Sequence, residues 1–327
     1  MERYRSRFLV FNILNSVSFM LLSGNVPTLF ALELGATGTY VGVLGSLNFI
    51  TYFFMPLGRR AIRGRPIIKV FGWSWMLRYW GMIPVIAAPF FARAGMPGWG
   101  LVLILGGSLL FNIWRGIGLI GNNPVVGMLA GDRDRGAFLS NVQIANSMTA
   151  IAASAATMFV LGAWSGDMLY GALIGIGILA GSAASSILLG LPEPEAYRPP
   201  AGSSFAATVK EAWADPRLRR FVAVFAPLSF SAGTARTFIV THARILYGQS
   251  PGLVMAYSVA FNIGSVAAGY LSRKLMDRLG AKPMYVVFTA AAALATVPAV
   301  WSPAFAPGLQ AFAFLAQIGR ASCRERV

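Results

Sequence analysis

Three arginines stand inside long stretches that are otherwise uncharged: Arg78, Arg115 and Arg236. A guanidinium keeps its charge at any physiological pH and presents a planar fork of donors that matches a carboxylate or a phosphate. Arg78 lies near the middle of its stretch, and two readings stand side by side for it. In one it faces a central cavity and holds an anion. In the other it pairs with helix ends or polar neighbours, or reaches out between the aromatics Trp75, Tyr79 and Trp80. Arg236 lies in the outer half of its stretch, where it either joins such a site or extends its head to an interface.

Uncharged polar groups add to this set. Asn15, Asn48 and Asn262 are the amides expected nearest a cavity, and most other Asn and Ser side chains in the apolar stretches are expected to bond between helices. Carboxylates are missing from the centres of these stretches. Glu33 and Asp167 fall at outer ends, and His242, the only histidine, falls at another. Coupling to protons through a core carboxylate is therefore disfavoured. One Cys and one His leave no metal set, and no catalytic cluster is visible, so no enzyme activity and no cofactor are expected. Asp132 and Asp134 could bind a metal in isolation, but Arg133 and Arg135 flank them and favour a loop salt-bridge network.

The elements that carry these residues follow from composition. Of the 327 residues, 56% are hydrophobic and 12% charged, and the mean hydropathy is +0.64. Soluble domains carry about 25% charged residues. The charge-free runs are long enough for membrane helices, which need about 20 apolar residues, and they lack the alternation of a transmembrane barrel. The predicted spans are 8–31, 38–57, 67–92, 98–122, 137–162, 168–191, 221–242, 252–272 and 283–302, with a tenth starting near 308. The first is read as a retained helix, since it exceeds the apolar core of a signal peptide.

The net charge of +16 has a side. Arg3, Arg5 and Arg7 precede the first span. Arg59, Arg60, Arg63, Arg65 and Lys69 lie in the second loop, Arg133 and Arg135 in the fourth, and further Lys and Arg in the sixth and eighth. The odd loops hold Arg93 and Arg244. Positive loops stay in the cytoplasm, which places the N-terminus there and the chain in a plasma (bacterial inner) membrane. The polar stretch 192–220 reads as a cytoplasmic linker with a short amphipathic helix carrying Phe205, Val209 and Trp213. It divides a six-helix half, 1–191, from a second, incomplete half, 221–317. Asn48 lies ten residues before Gly58 and Asn262 ten before Ser272, each ahead of a basic loop, which is a weak internal repeat.

Asp277, Arg278 and Gly280 match the Asp-Arg-x-Gly core of a loop motif, and Gly64 and Arg65 match its end in the first half, where Ala61 and Ile62 replace the Asp and Arg. Arg115, Gly118 and Pro124 precede a turn at 132–136. In these features the chain resembles the major facilitator superfamily. The resemblance implies an all-α bundle of two halves and a secondary transporter that moves a small solute by alternating access. It also gives Arg115 a structural role and Gly64, Arg65, Gly118, Asp277, Arg278 and Gly280 a gating role. A coupling ion and a monomer are in keeping with it, and no nucleic-acid partner is. The fifth helix lacks the Gly-Pro signature of the family's antiporters, which counts against drug/proton exchange. A non-transporting sensor or scaffold with the same fold, and an intramembrane enzyme, are the alternatives. Residues 318–327 resemble a translated sequencing adapter, so a chain cut near Gln317, with nine complete helices and part of a tenth, is expected.

Overall fold

The structure, a computed structural model, describes residues 2–63, 65–130, 135–194 and 240–279, with isolated positions between 210 and 223 and between 283 and 294; for 135–137, 140 and 268–279 it describes the backbone alone. The regular elements among the described residues are all helical. They are α1 (Glu2–Leu22), α2 (Asn25–Glu33), α3 (Gly38–Ile50), α4 (Met55–Ala61), α5 (Ile67–Trp80), α6 (Ala88–Arg93), α7 (Pro97–Leu119), α8 (Asn122–Ala130), α9 (Arg135–Ala163), α10 (Asp167–Leu189) and α11 (Pro251–Leu279). Five helical stretches are long and apolar enough to cross a membrane: Glu2–Glu33, Gly38–Ala61, Pro97–Leu119, Asn141–Ala163 and Asp167–Leu189.

The first six predicted spans and the eighth are helical over nearly the expected ranges. Four of them are not the continuous helices that hydropathy predicts, and proline accounts for each break. A proline lacks the N–H that would bond the carbonyl four residues back, and its ring collides with that carbonyl. Pro27 points to Ser23, where α1 gives way to α2. Pro56 points to Tyr52, inside the 3-10 turn Thr51–Phe54 that separates α3 from α4. Pro84 points to Trp80, the last residue of α5, before the 3-10 turn Ile83–Ala87. Pro124 points to Ile120, just beyond the end of α7. The broken third span matters most, because it ends α5 within one turn of Arg78.

Packing brings α1 against α10 and α9, sets α5 between α10 and α7, and lays α11 along α9. Two helix ends are closed by long-range caps. Arg5 Nε and Nη2 donate to the Leu129 and Ala130 carbonyls at 2.7 and 2.8 Å, meeting the last acceptors of α8. The Glu193 carboxylate accepts from the backbone N–H groups of Ile67 and Ile68, the first donors of α5. Sequence reading assigns Glu193 to the linker; the structure makes it the N-terminal cap of the helix that bears Arg78. Nearly all of the spans 221–242 and 283–302, the tenth span, the motif residues Gly64 and Gly280, the amphipathic positions Phe205 and Val209, and the tail 318–327 lie outside the described residues. Asp277 and Arg278 fall in the last turn of α11, described by backbone only.

Candidate functional site

The site is assembled on one face of α5. Trp75, Arg78 and Tyr79 stand at i, i+3 and i+4, a spacing that aligns side chains along a helix. Opposite them lie Asn15 of α1 and Phe111 of α7. The Arg78 guanidinium carbon sits 4.2 Å from the Trp75 ring centroid, 4.5 Å from that of Tyr79 and 4.9 Å from that of Phe111. Arg78 is 1% exposed and Tyr79 fully buried.

One atom gathers the polar contacts. Asn15 Oδ1 accepts from Arg78 Nη2, from the Tyr79 hydroxyl at 2.7 Å and from Trp75 Nε1 at 3.2 Å. Arg78 Nη2 also donates to the Tyr79 oxygen. Arg78 Nε is buried without a hydrogen-bond partner. Among the described residues no carboxylate pairs with this arginine; Glu33 pairs instead with Arg244.

The energetics explain how a charge persists here. An arginine at a helix centre costs about 3 kcal/mol on insertion scales. Hydrogen bonds to a charged group return about 1.5–3 kcal/mol each, and a desolvated cation–π contact about 2 kcal/mol. Two bonds and three rings are of the right size to offset burial with no acid nearby.

Two glycines make room for the rings. A Cβ at Gly181 of α10 would lie 2.5 Å from Tyr79 Cδ1 and Cε1 and 2.6 Å from Ser18 Oγ. One at Gly118 of α7 would lie 2.6 Å from Trp75 Cε3. Gly118, expected to serve gating, leaves room for the Trp75 ring against α7.

A second cradle adjoins the first. Arg115 Nη1 donates to Asn48 Oδ1 at 3.4 Å, Ser23 Oγ donates to the same oxygen at 3.3 Å, and the Arg115 guanidinium lies 5.0 Å from the Phe19 ring. Phe19 in turn meets Phe111 at 6.4 Å. Asn262 stands apart from both cradles, donating to Ser154 Oγ of α9 at 3.3 Å and to the Ser258 carbonyl. Arg236 lies outside the described residues, and Arg65 is exposed in the turn before α5. Trp80 does not join the cage: it packs on Trp73 and is half exposed. His242 lies against Tyr247, with Nε2 buried and unbonded.

Sequence reading missed Phe111 and Gly181. For Phe111 a signal existed, since Phe111, Arg115 and Gly118 fall at i, i+4 and i+7 on one face of α7. Gly181 is a packing glycine whose neighbour is the Tyr79 ring of the site. Gly175, on the same helix, has its nearest neighbour at 4.0 Å.

The geometry can be set beside known proteins. The family model described as Major Facilitator Superfamily matches residues 8–322. No curated protein matches the chain by sequence. Among solved structures, a mutant of the nucleoside transporter NupG is similar with a TM-score of 0.69 at 16% identity, over 97% of this chain and 80% of that one. A bacterial homologue of the iron transporter ferroportin, in its inward-facing state, gives 0.70 at 14% identity over 98% and 82%. A D-xylose–proton symporter gives 0.66 at 14% identity over 97% and 79%.

Proposed function

The chain belongs to the Major Facilitator Superfamily; it is therefore a multi-pass membrane protein and a secondary transporter of a small molecule rather than an enzyme, and we propose that its solute is a small anion held at Arg78. One observation carries the reading. Arg78 is buried at mid-span with a fixed charge, has no acidic partner among the described residues, and keeps an unmet donor. A charge retained in that setting is expensive and points to a solute pathway. Asn15 touches Arg78 directly, and Asn48 supports the neighbouring Arg115. Asn262 and Arg236 are assigned to the second half's side of the pathway.

In this reading the halves 1–191 and 221–317 rock about the site, with 192–220 as the cytoplasmic tether. The N-terminus is cytoplasmic, the membrane is a plasma (bacterial inner) membrane, and the unit is a monomer. Arg65 with Gly64, and Asp277 with Arg278 and Gly280, serve the cytoplasmic gate. Bonds between the halves at their outer ends support an arrangement closed on that side: Glu33 with Arg244 at 3.0 Å, and Asn25 Nδ2 to Ser258 Oγ at 2.8 Å. The approach of α11 to α9 at Gly252, where a Cβ would lie 2.8 Å from Gly162 Cα, supports it too.

Uptake of labelled solutes by proteoliposomes containing the full chain tests the proposal. Saturable uptake of anionic solutes, with none of neutral or cationic solutes of similar size, is the expected result. Uptake restricted to neutral or cationic solutes would overturn it.

A further inference from the structure

The bonding at Asn15 is lopsided in a way that specifies a ligand. Three donors, Trp75 Nε1–H, Tyr79 O–H and Arg78 Nη2–H, converge on one amide oxygen. An oxygen of this kind has two lone pairs. Immediately beside them, Arg78 Nε–H is buried and meets nothing. In a guanidinium, Nε–H and one N–H of Nη2 lie parallel along one edge, and that edge takes the two oxygens of a carboxylate side by side. An amide has a single oxygen. It bonds Nη2, is oversupplied with donors there, and leaves Nε bare.

The two residues also differ in access. Arg78 is 1% exposed, whereas Asn15 is only half-buried, so Asn15 covers the guanidinium from the more open side. Trp75, Tyr79 and Phe111 cover it from the others. The element that must move to uncover Arg78 is therefore one side chain, and it already makes contacts of the kind an anion would make.

Resting on the anionic reading above, we propose that Asn15 holds the place of a substrate carboxylate: its amide oxygen occupies the donor cluster in the empty transporter, and the solute's carboxylate displaces it. The carboxylate sets one oxygen among Trp75, Tyr79 and Arg78 Nη2 and the other on Arg78 Nε. Asn15 is then a specificity-determining residue. It sets a threshold that a ligand with one acceptor oxygen does not pass, because such a ligand only repeats what the amide already provides. Phosphate presents tetrahedral oxygens to a slot lined by ring faces and is the poorer fit.

Chemical rescue tests this without knowledge of the natural solute. Asn15→Ala removes the amide and leaves space for acetate, with acetamide as the matched neutral probe and inorganic phosphate as the tetrahedral one. Thermal unfolding of the purified full chain is the readout. The expected result is a lowered midpoint in Asn15→Ala that acetate restores at concentrations about tenfold below those of acetamide, as a charge-assisted bidentate bond requires. In Asn15→Ala/Arg78→Gln this preference disappears. Independently, Asn15→Asp places a carboxylate in the slot permanently; its midpoint rises above wild type, and acetate no longer shifts it. Equal rescue by acetamide, better rescue by phosphate, or a lower midpoint in Asn15→Asp would each overturn the displacement role. Uptake of labelled anions reports separately on the anionic reading. Intact, Arg78-dependent anion uptake alongside rescue that ignores charge would sink the role of Asn15 alone.

Discussion

Asn15 of α1 and Arg78 of α5 are hydrogen-bonded across the helix interface, with the amide oxygen on Nη2 and the neighbouring Nε left unbonded. The pair ties the first span to the third. It places an acceptor from one helix over a fixed charge on another, so any movement of α1 relative to α5 is felt at the charge.

Replacing Arg78 separates charge from geometry. Arg78→Lys keeps the charge and loses the planar fork and its stacking on Trp75 and Tyr79. Loss of one charge-assisted bond costs about 1.5–3 kcal/mol, so KM for the anion is expected to rise about 10- to 100-fold in Arg78→Lys. Concentration-dependent uptake in proteoliposomes measures it.

Gly181→Ala reaches the site from behind. Its Cβ would meet the Tyr79 ring at 2.5 Å, and the ring has Phe111 and Ser18 around it, so the overpacking has no soft outlet. A loss of about 1–3 kcal/mol of stability is expected, together with impaired transport as Tyr79 leaves Asn15. Gly175→Ala, with 4.0 Å to its nearest neighbour, is expected to behave as wild type. Thermal unfolding of the two variants side by side checks both statements.

Glu33, at the end of α2, and Arg244, ahead of α11, form an ion pair. The two side chains are 34% and 28% exposed, which puts the pair in the range of about 0.2–1 kcal/mol and makes it sensitive to salt. Glu33→Gln is expected to raise labelling of a cysteine placed in the outer pathway by about 1.4- to 5-fold, following that energy. The exchange Glu33→Arg/Arg244→Glu is expected to restore wild-type labelling. Arg244 also donates to the Gln249 carbonyl at 3.0 Å, so Arg244→Ala should disturb more than Glu33→Gln does.

Glu193→Gln tests the cap on α5. The carboxylate meets two backbone donors at the start of the helix that bears Arg78. An amide meets them less well and no longer complements the helix dipole, so a loss of about 1 kcal/mol in stability is expected. The anion preference of uptake should be unchanged, because the cap is at the other end of α5.

Much of this fold is legible in residue order because membrane physics is severe. Charges such as Arg78 and amides such as Asn15 are conspicuous in apolar stretches, and long uncharged runs leave few alternatives to helices. The helix breaks at Ser23, Tyr52, Trp80 and Ile120 were visible in principle, each four residues before a proline, but hydropathy alone runs straight through them. Phe111 and Gly181 were not legible as site residues. Rings and glycines are common in membrane helices, and which of them meets Arg78 depends on how α7 and α10 rotate against α5. Glu193 was hidden for a different reason: its partners, Ile67 and Ile68, are more than a hundred residues away in sequence, and nothing in a Pro-Glu run names a distant helix start.

The central claim is that Arg78 holds an anionic solute. Uptake of a labelled carboxylate solute by proteoliposomes, compared between wild type and Arg78→Gln at matched protein incorporation, tests it most directly. Saturable uptake in wild type that falls by at least about tenfold in Arg78→Gln is expected, with the variant still folded by thermal unfolding. Undiminished uptake in a folded Arg78→Gln protein would contradict it.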